Sequence, residues 1–336
     1  MKYVDAINKK LVPTRNGGPK TVDLFAGCGG LALGFEAAGF ETIGYEINAD
    51  CTETYNRNLA GTCHNVALTK ETPLESCDVI IGGPPCQPFS VRGHQNGLAD
   101  SRDGFPTFIS AVERLRPALF LFENVRGLLY RNGWYLDEVI EQLKALDYVV
   151  EKQLVNARHF GVPQNRERLI VVGHTGDFFW PKPVKYMVTA GEALGELAFQ
   201  TPPGSKFLTR SMDEYVARYE KASFCTVPRD LHLDRPARTL TCRNLAGATS
   251  DMQRIRLPDG RRRRLTVREA ARLQSFPDSF EFAGGETSQY NQIGNAVPPL
   301  LALHLAERVM AYLESRGVDE SRPKKQQTTG RQLALI

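Results

Sequence analysis

Cys86 sits in the run Gly82-Gly83-Pro84-Pro85-Cys86-Gln87-Pro88-Phe89-Ser90, where prolines on both sides leave the backbone few conformations. A thiol attacks as its thiolate, so with an ordinary pKa near ~8.5 it needs a polar or cationic setting. On such a loop the cysteine can act as a nucleophile, although a lone cysteine is more often a small core residue. Glu123, in Phe122-Glu123-Asn124-Val125, can hold or deliver a proton if burial raises its pKa. The plainer reading is a solvated or helix-capping carboxylate. In Gln164-Asn165-Arg166-Glu167-Arg168, strand alternation puts Arg166 and Arg168 on one face and Glu167 on the other. Two guanidiniums on one face suit a phosphate, a carboxylate or a developing anion, or simple surface ion pairing. No pair of Cys or His residues has the spacing of a structural zinc site, so no metal is expected.

A second group suits a nucleotide-like cofactor. Asp23-Leu24-Phe25-Ala26-Gly27-Cys28-Gly29-Gly30 follows an apolar strand and opens a helix, and its glycines permit a sharp turn and close backbone approach to a ligand. Glu46 ends the next strand about twenty residues on, where an acid commonly takes ribose hydroxyls. A glycine-rich turn can equally be simple packing. The loop lacks the Gly-x-Gly-x-x-Gly spacing of dinucleotide folds, because Ala32 follows Leu31, and it lacks the Lys-Ser/Thr of a triphosphate loop. A cofactor with ribose and adenine but no phosphate chain, such as S-adenosylmethionine, fits better.

The elements that must position these residues can be read from periodicity. Val22–Phe25, Thr42–Tyr45, Asp78–Ile81, Ala118–Phe122 and Leu169–Val172 are predicted strands, whereas Leu31–Ala38, Pro106–Arg114 and Leu136–Leu146 have helical spacing. Their alternation predicts an α/β domain with a mainly parallel sheet covered on both faces. In such sheets ligands bind beyond the carboxyl ends of strands, where Cys86 and Glu123 are expected. The texture changes after Gly173: residues 174–234 are rich in Pro and aromatics without a sustained period. Asp259-Gly260 then predicts a hairpin. Thr266 and Glu269 predict a capped helix over 266–274, and helix resumes over 294–316. The organisation expected is a lead-in over 1–20, a catalytic and cofactor domain over 21–180 and a small recognition domain over 181–285. A return segment over 286–317 completes the first domain, and a polar, disordered tail occupies 318–336.

Composition narrows the class. With 336 residues, 42% hydrophobic and 24% charged, the chain has ample core. No run approaches the ~20 apolar residues of a membrane helix, the N-terminus lacks a secretory pattern, and seven scattered cysteines favour a reducing cytoplasm. Net charge is +4 overall, yet Arg235 to Arg272 holds eleven Arg against three acids, a local +8 that leaves the remainder at −4. A basic segment on an acidic protein suits a polyanion, or a solvated Arg-rich face.

Taken in order, these motifs resemble the bacterial, S-adenosylmethionine-dependent DNA (cytosine-5) methyltransferases. The matching stretches are Asp23–Gly30, Pro84-Pro85-Cys86-Gln87, Glu123-Asn124-Val125 and Gln164–Arg168, followed by Arg235-Pro236-Ala237-Arg238-Thr239-Leu240-Thr241 and Gly294-Asn295-Ala296-Val297-Pro298. The resemblance implies a Rossmann-like catalytic domain, a smaller irregular, β-containing recognition domain and a DNA cleft between them. It implies S-adenosylmethionine bound by Phe25, Ala26, Gly27, Cys28, Gly29, Gly30, Glu46, Ile47, Asn65, Val66, Pro85, Phe105, Asn295, Ala296 and Val297. Asn65 stands where the family often has Asp, and Phe105 where a leucine-type residue usually packs on the cofactor; an Asn carbonyl can still accept from an adenine amino group.

The implied reaction is methyl transfer to C5 of a cytosine flipped from duplex DNA, with Cys86 attacking C6, Glu123 at N3, Arg168 orienting the base and Arg166 helping to hold the site. Pro84, Gln87, Ser90, Arg238, Thr239 and Arg261 to Arg264 are the expected DNA contacts, the last four to phosphates; they can equally be a solvated hairpin end. A companion restriction endonuclease acting on the same site is a possible partner. Rival readings are a tRNA cytosine-5 methyltransferase, which shares Pro-Cys-Gln and Glu-Asn-Val, and a non-catalytic DNA-binding relative. Intact Cys86, Glu123 and Arg168 argue against the latter.

Overall fold

The computed structural model describes residues 2–14, 17–85, 103–130, 132–222, 224, 229–247 and 251–320, with side chains to residue 316. Cys86, Gln87 and Ser90 lie outside the described residues. The first half runs α1 (Tyr3–Lys10), β1 (Lys20–Leu24), α2 (Gly30–Ala37), β2 (Glu41–Glu46), α3 (Ala49–Asn58), β3 (Thr62–Asn65), β4 (Val79–Gly82), α4 (Phe105–Leu115), β5 (Leu119–Val125), α5 (Gly127–Tyr130), α6 (Gly133–Lys144), β6 (Val149–Asn156), β7 (Gln164–Asn165) and β8 (Glu167–His174).

Seven of these strands form one sheet in the order β3-β2-β1-β4-β5-β8-β6. Pairing is parallel from β3 to β5, and β8 runs antiparallel between β5 and β6. Alternation along the strands explains the layers. Val22, Leu24, Ile80, Phe120, Phe122, Leu169 and Val171 face one core, into which α4 and α6 send Phe108, Val112, Leu136 and Val139. The residues between them, Val79, Ile81, Leu119, Leu121, Ile170 and Val172, face a second core shared with α2 and the C-terminal helix. Near-continuous apolar strands are what a sheet covered on both faces requires.

The order reverses between β1 and β4. The crevice beyond their carboxyl ends, at this switch point, is the favoured ligand position of open α/β sheets. The loops after β1 and β4 are those carrying Phe25–Gly29 and Pro84–Pro85.

The second half runs α7 (Ala190–Leu194), α8 (Arg210–Ala222), β9 (Ala237–Arg238), α9 (Cys242–Ala246), β10 (Arg254–Arg256), β11 (Arg262–Arg264), α10 (Val267–Leu273), α11 (Glu286–Asn295) and α12 (Pro299–Glu320). The Asp259-Gly260 hairpin forms: β10 and β11 pair antiparallel and Gly260 takes φ 85°. Thr266 and Glu269 make the expected capping box. The stretch 174–234 is more ordered than expected, since it contains α7 and α8. Helix α8 has only Val216 buried, too narrow an apolar stripe to register as a period. Helix α12 packs on α2, where Gly34 admits the Ala302 and Leu303 backbone so closely that a Cβ would overlap it. It also runs past residue 318, into the stretch expected to be a polar tail; residues 321–336 lie outside the described residues.

Candidate active site

The loop after β1 is built for close approach. Phe25 and Gly27 take φ 59° and 55°, and Gly29 takes φ 86°. A Cβ on Gly27 would meet nothing within 4 Å, so this glycine faces open space, whereas one on Gly30 would run into the Val297 carbonyl and stand 3.2 Å from the Ala296 Cβ. The return segment thus presses on the start of α2. Glu46 accepts from Gly27 N at 2.9 Å and from Asn48 N at 2.8 Å, tying the loop to the end of β2. Asn65 donates through Nδ2 to the Glu46 and Ile47 carbonyls at 3.1 and 3.0 Å. Those two acceptors orient the amide and leave its Oδ1 for another donor. Val66 N also donates to the Glu46 carbonyl at 2.8 Å, and Ile47 stands 70% exposed beside it. Ala26 and Cys28 are buried. The open face at Gly27, the exposed Ile47 and the available Asn65 oxygen fit an adenosine-bearing ligand. Phe105 does not serve as its packing surface: the ring is fully buried, edge-to-face against Phe122 and Tyr135 at 5.3 and 5.7 Å. Its position opens α4, and burial of that helix face draws the ring into the core.

Residues on both sides of the Cys86 segment are tightly held. Asn124 Nδ2 donates to the Pro84 carbonyl at 2.9 Å, and Gly104 N donates to the Pro85 carbonyl at 3.0 Å. A Cβ on Gly104 would strike the Pro85 ring and come within 2.9 Å of the Phe25 ring. Next to it, Asp103 accepts from Phe105 N at 3.1 Å and from the Tyr135 hydroxyl. Asn124, Asp103, Gly104 and Tyr135 were not singled out by sequence reasoning. Asn124 was within reach, being the neighbour of Glu123; the Asp103–Tyr135 contact depends on the position of α6, and the Gly104–Pro85 contact on where α4 begins.

Glu123 lies inside β5 rather than just beyond it, because β5 continues to Val125 through pairing with β8, Glu123 opposite Ile170 and Val125 opposite Arg168. Its carboxyl is nearly buried and forms an ion pair with Arg168 Nε at 2.6 Å. An oxygen of Glu123 also lies 3.9 Å from a Cβ position on Gly83, facing the loop after β4. Arg168 donates in addition to the Glu167 carbonyl at 2.7 Å. Burial pushes the Arg168 pKa down and the Glu123 charge opposes that shift. A cleft of about 540 Å³ opens here, lined by Val125, Asn165, Arg168 and Thr239 among others.

Arg166 has a different task from the one its strand alternation suggested. It is fully buried and donates to the carbonyls of Leu240, Gly294 and Ala296 at 2.7, 3.0 and 3.0 Å. Burial lowers its pKa, with the Arg168 charge adding to the effect. It fastens the strand bearing Arg168 to the segment bearing Asn295, Ala296 and Val297. Asn295 itself accepts from the Cys242 thiol at 2.9 Å.

The four consecutive arginines do not form a phosphate-facing row. Arg263 is completely buried, with Nη1 and Nη2 on Glu269 at 2.8 and 2.7 Å and further bonds to the Leu197 and Gln200 carbonyls. Arg262 is held by Asp213 at 2.7 Å, and Arg264 by the Leu245 carbonyl at 2.7 Å. Arg261 is exposed but bonded to Asp259 at 2.7 Å and stacked over Phe207 at 4.5 Å. Local charge counting included Glu269 but overlooked Asp213, which approaches from α8. Arg238 and Thr239 do lie by the cleft: β7 pairs with β9 in the register Asn165–Arg238, and the Thr239 hydroxyl donates to the Asn165 carbonyl at 2.7 Å. Among the described residues there is no cluster able to hold a metal and no helix long and apolar enough to cross a membrane.

Residues 19–189 and 210–311 match the family described as C-5 cytosine-specific DNA methylase. The chain belongs to the C-5 cytosine-specific DNA methylases. It is similar to the type II methyltransferase M.AplI of Arthrospira platensis, with 57% identity over 91% of this chain and 90% of the relative. It is also similar to M.NgoFVII of Neisseria gonorrhoeae, with 34% identity over 87% and 86%. Among solved structures, a putative DNA modification methyltransferase from a prophage of E. coli aligns over 88% of this chain and 100% of its own, with TM-score 0.65 and 22% identity. S. pombe Dnmt2 methyltransferase aligns over 89% and 99%, with TM-score 0.68 and 16% identity. These distant structures share the Rossmann-like fold. This DNA methylase is therefore a cytosine-5 methyltransferase of the kind found among restriction-modification enzymes, in a family that uses S-adenosylmethionine.

Proposed function

We propose that Cys86 is the nucleophile of this methyltransferase and Glu123 its proton donor, acting on a cytosine flipped out of a specific duplex DNA site. The observation that carries this reading is the buried Glu123–Arg168 ion pair, 2.6 Å long, on the strand end beside the loop that leads from Pro85 into Cys86. Cytosine C5 is a weak nucleophile because reaction breaks ring conjugation. The Glu123 carboxylate takes up a proton from solvent as the base arrives; the Cys86 thiolate then forms a bond to C6, and the electron pair of the C5–C6 double bond moves toward C5 while N3 takes that proton from Glu123. Arg168 holds the Glu123 carboxyl in place and reaches the exocyclic oxygen of the base. When bound, S-adenosylmethionine supplies an electrophilic methyl group to C5. N3 returns its proton to Glu123, and a base, water or a side chain, takes the C5 proton; the C5–H electron pair re-forms the C5–C6 double bond and the S–C6 pair leaves on sulfur, so that the Cys86 thiolate is free again. Splitting the reaction in this way lowers its barrier, and the base must leave the stack to be reached.

Phe25 to Gly30, Glu46, Ile47, Asn65, Val66 and Pro85, with Asn295, Ala296 and Val297, would hold the cofactor. Asn65 Oδ1 would accept from the adenine amino group and Glu46 would face the ribose. The reading also divides the chain into a catalytic domain over 21–180, a recognition domain over 181–285 and a return segment over 286–317. A companion restriction endonuclease is supported by the type II naming of the relatives, and cytoplasmic action on DNA follows from the substrate.

The test is chemical. Cys86→Ser should bind DNA and S-adenosylmethionine yet transfer no methyl group, and DNA bearing 5-fluorocytosine should trap the wild type covalently. Glu123→Gln should lower the transfer rate by about 10²-fold or more. Methyl transfer by Cys86→Ala at a near-normal rate would refute the assignment. Bisulfite sequencing of DNA from expressing cells would give the modified site.

A further inference from the structure

Two aspartates in the second half of the chain each gather three arginines, and the comparison between them is informative. Asp230 takes Arg254 Nε at 2.7 Å, Arg256 Nε at 3.4 Å and Arg262 Nη1 at 3.7 Å. Glu220 also pairs with Arg254 at 3.0 Å, and Asp213 is bonded to Arg262 at 2.7 Å. Three cations there meet three acids, and the Arg254 side chain is wholly buried. That cluster is neutral and structural.

Asp251 is different. It takes Arg229 Nη1 at 3.2 Å, Arg238 Nη1 at 3.3 Å and Arg243 Nε at 4.0 Å. Arg238 also donates through Nη2 to the carbonyls of Asp251 and Arg229 at 3.3 and 3.4 Å, which fixes its guanidinium while its side chain stays 41% exposed. Arg243 is 55% exposed, and Asp251 is its only ionic partner among the described residues. Arg229 stacks over the Tyr219 ring at 5.1 Å, and its backbone N–H is bonded to Glu220, whose charge is shared with Arg254. Among the described residues Arg238 and Arg243 have no ionic partner but Asp251, which Arg229 also shares, so positive charge exceeds negative here at a spot half-open to solvent. Like charges converging this way repel one another, and an arriving anion with oxygens for several N–H donors relieves that repulsion.

The position matters as much as the charge. Arg238 is the register partner of Asn165, and Thr239, the next residue, is bonded to Asn165. Asn165 and Thr239 both line the cleft that holds Arg168. We infer that Arg229, Arg238 and Arg243, gathered by Asp251 at the rim of this cleft, form a binding site for a backbone phosphate of duplex DNA beside the flipped nucleotide. This inference rests on the DNA-methylating reading above and moves the phosphate contact away from the hairpin arginines.

The experiment measures affinity for a short fluorescent duplex of mixed sequence across a range of salt concentrations, so it needs no recognition site. Each arginine that meets a phosphate contributes about 0.9 to the slope of log K against log salt. The Arg238→Ala/Arg243→Ala double variant is expected to flatten that slope by up to about 1.8, and Arg243→Lys to keep most of it. Asp251→Asn, which raises the local charge, is expected to tighten binding. Arg256→Ala removes an equally exposed charge from the neutral cluster and is expected to leave the slope unchanged. Thermal melts confirm that each variant is folded; should Asp251→Asn fail to fold, the arginine variants decide alone. An unchanged slope in a folded double variant overturns the inference, as does an equal loss in Arg256→Ala or weaker binding by folded Asp251→Asn. A wild type with no salt-dependent duplex affinity would instead overturn the DNA-methylating reading itself.

Discussion

Asp23 lies in β1 just before the glycine loop, almost wholly buried, and its Oδ2 has no hydrogen-bond partner among the described residues. Burial, and then the nearby Glu46 charge, push its pKa up to about 8 from an ordinary 3.8. The folded protein therefore holds a proton there that the unfolded chain gives up near pH 4. Unfolding releases that proton between these two values, so stability falls as pH rises through the window and levels off above pH 8. Asp23→Asn should match the wild type near pH 4 and exceed it at pH 8.5, on the order of a few kcal/mol. Urea melts at the two pH values would measure the difference; an equal gap at both would mean that Asp23 is ionised in the fold. Asn at this position keeps the shape of the carboxyl without its charge, so the comparison isolates the proton.

Helix α4 begins where the chain comes back from Cys86, and its first residues set the geometry of Pro85. Gly104→Ala should displace the Pro85 ring, lowering the methyl-transfer rate about 10-fold or more while DNA affinity is kept; single-turnover kinetics beside a binding titration would separate the two. Arg166→Met should cost about 3 kcal/mol or more, because three buried carbonyls lose their donor; a denaturation curve would report it. Much of this arrangement was legible beforehand. The strands β1, β4, β5 and β8 are apolar runs, and the motifs at their ends mark the crevice. Less was legible at the sheet margins. Strand β3 reads Thr62-Cys63-His64-Asn65 and is a strand only because it pairs with β2, and the edge strand β6 carries Glu151 and Lys152 among its apolar residues. Helix α3, from Ala49 to Asn58, buries only two threonines and one tyrosine, so apolar periodicity missed it. The end of β5 was drawn too early because Glu123 and Asn124 are polar, whereas backbone pairing with β8 ignores side-chain polarity. The fate of Arg166 was illegible for a related reason: its acceptors are backbone carbonyls, which no residue type announces.

Across the whole molecule, the basic balance of residues 235–272 is mostly consumed by internal partners, and the charge left over is concentrated at Asp251. Arg263→Ala should accordingly act on the fold, leaving Glu269 buried and unpaired and lowering stability by roughly 3–5 kcal/mol, with the salt dependence of DNA binding unchanged in whatever fraction stays folded. A melt combined with the duplex titration would check both halves of that statement. The contact between Gly30 and Val297 has a consequence of another kind. A ribosome releases the chain from its N-terminal end, and domains generally fold as they emerge. Here the first loop of the sheet waits for a wall made from nearly the last of the described residues, and Arg166 waits for the Gly294 and Ala296 carbonyls. A chain that ends before this segment lacks the pocket wall, two of the Arg166 acceptors and helix α12, which covers one face of the sheet. The second core and the pocket therefore close together, only when residues 294–316 join the N-terminal half, and a chain broken before them has neither.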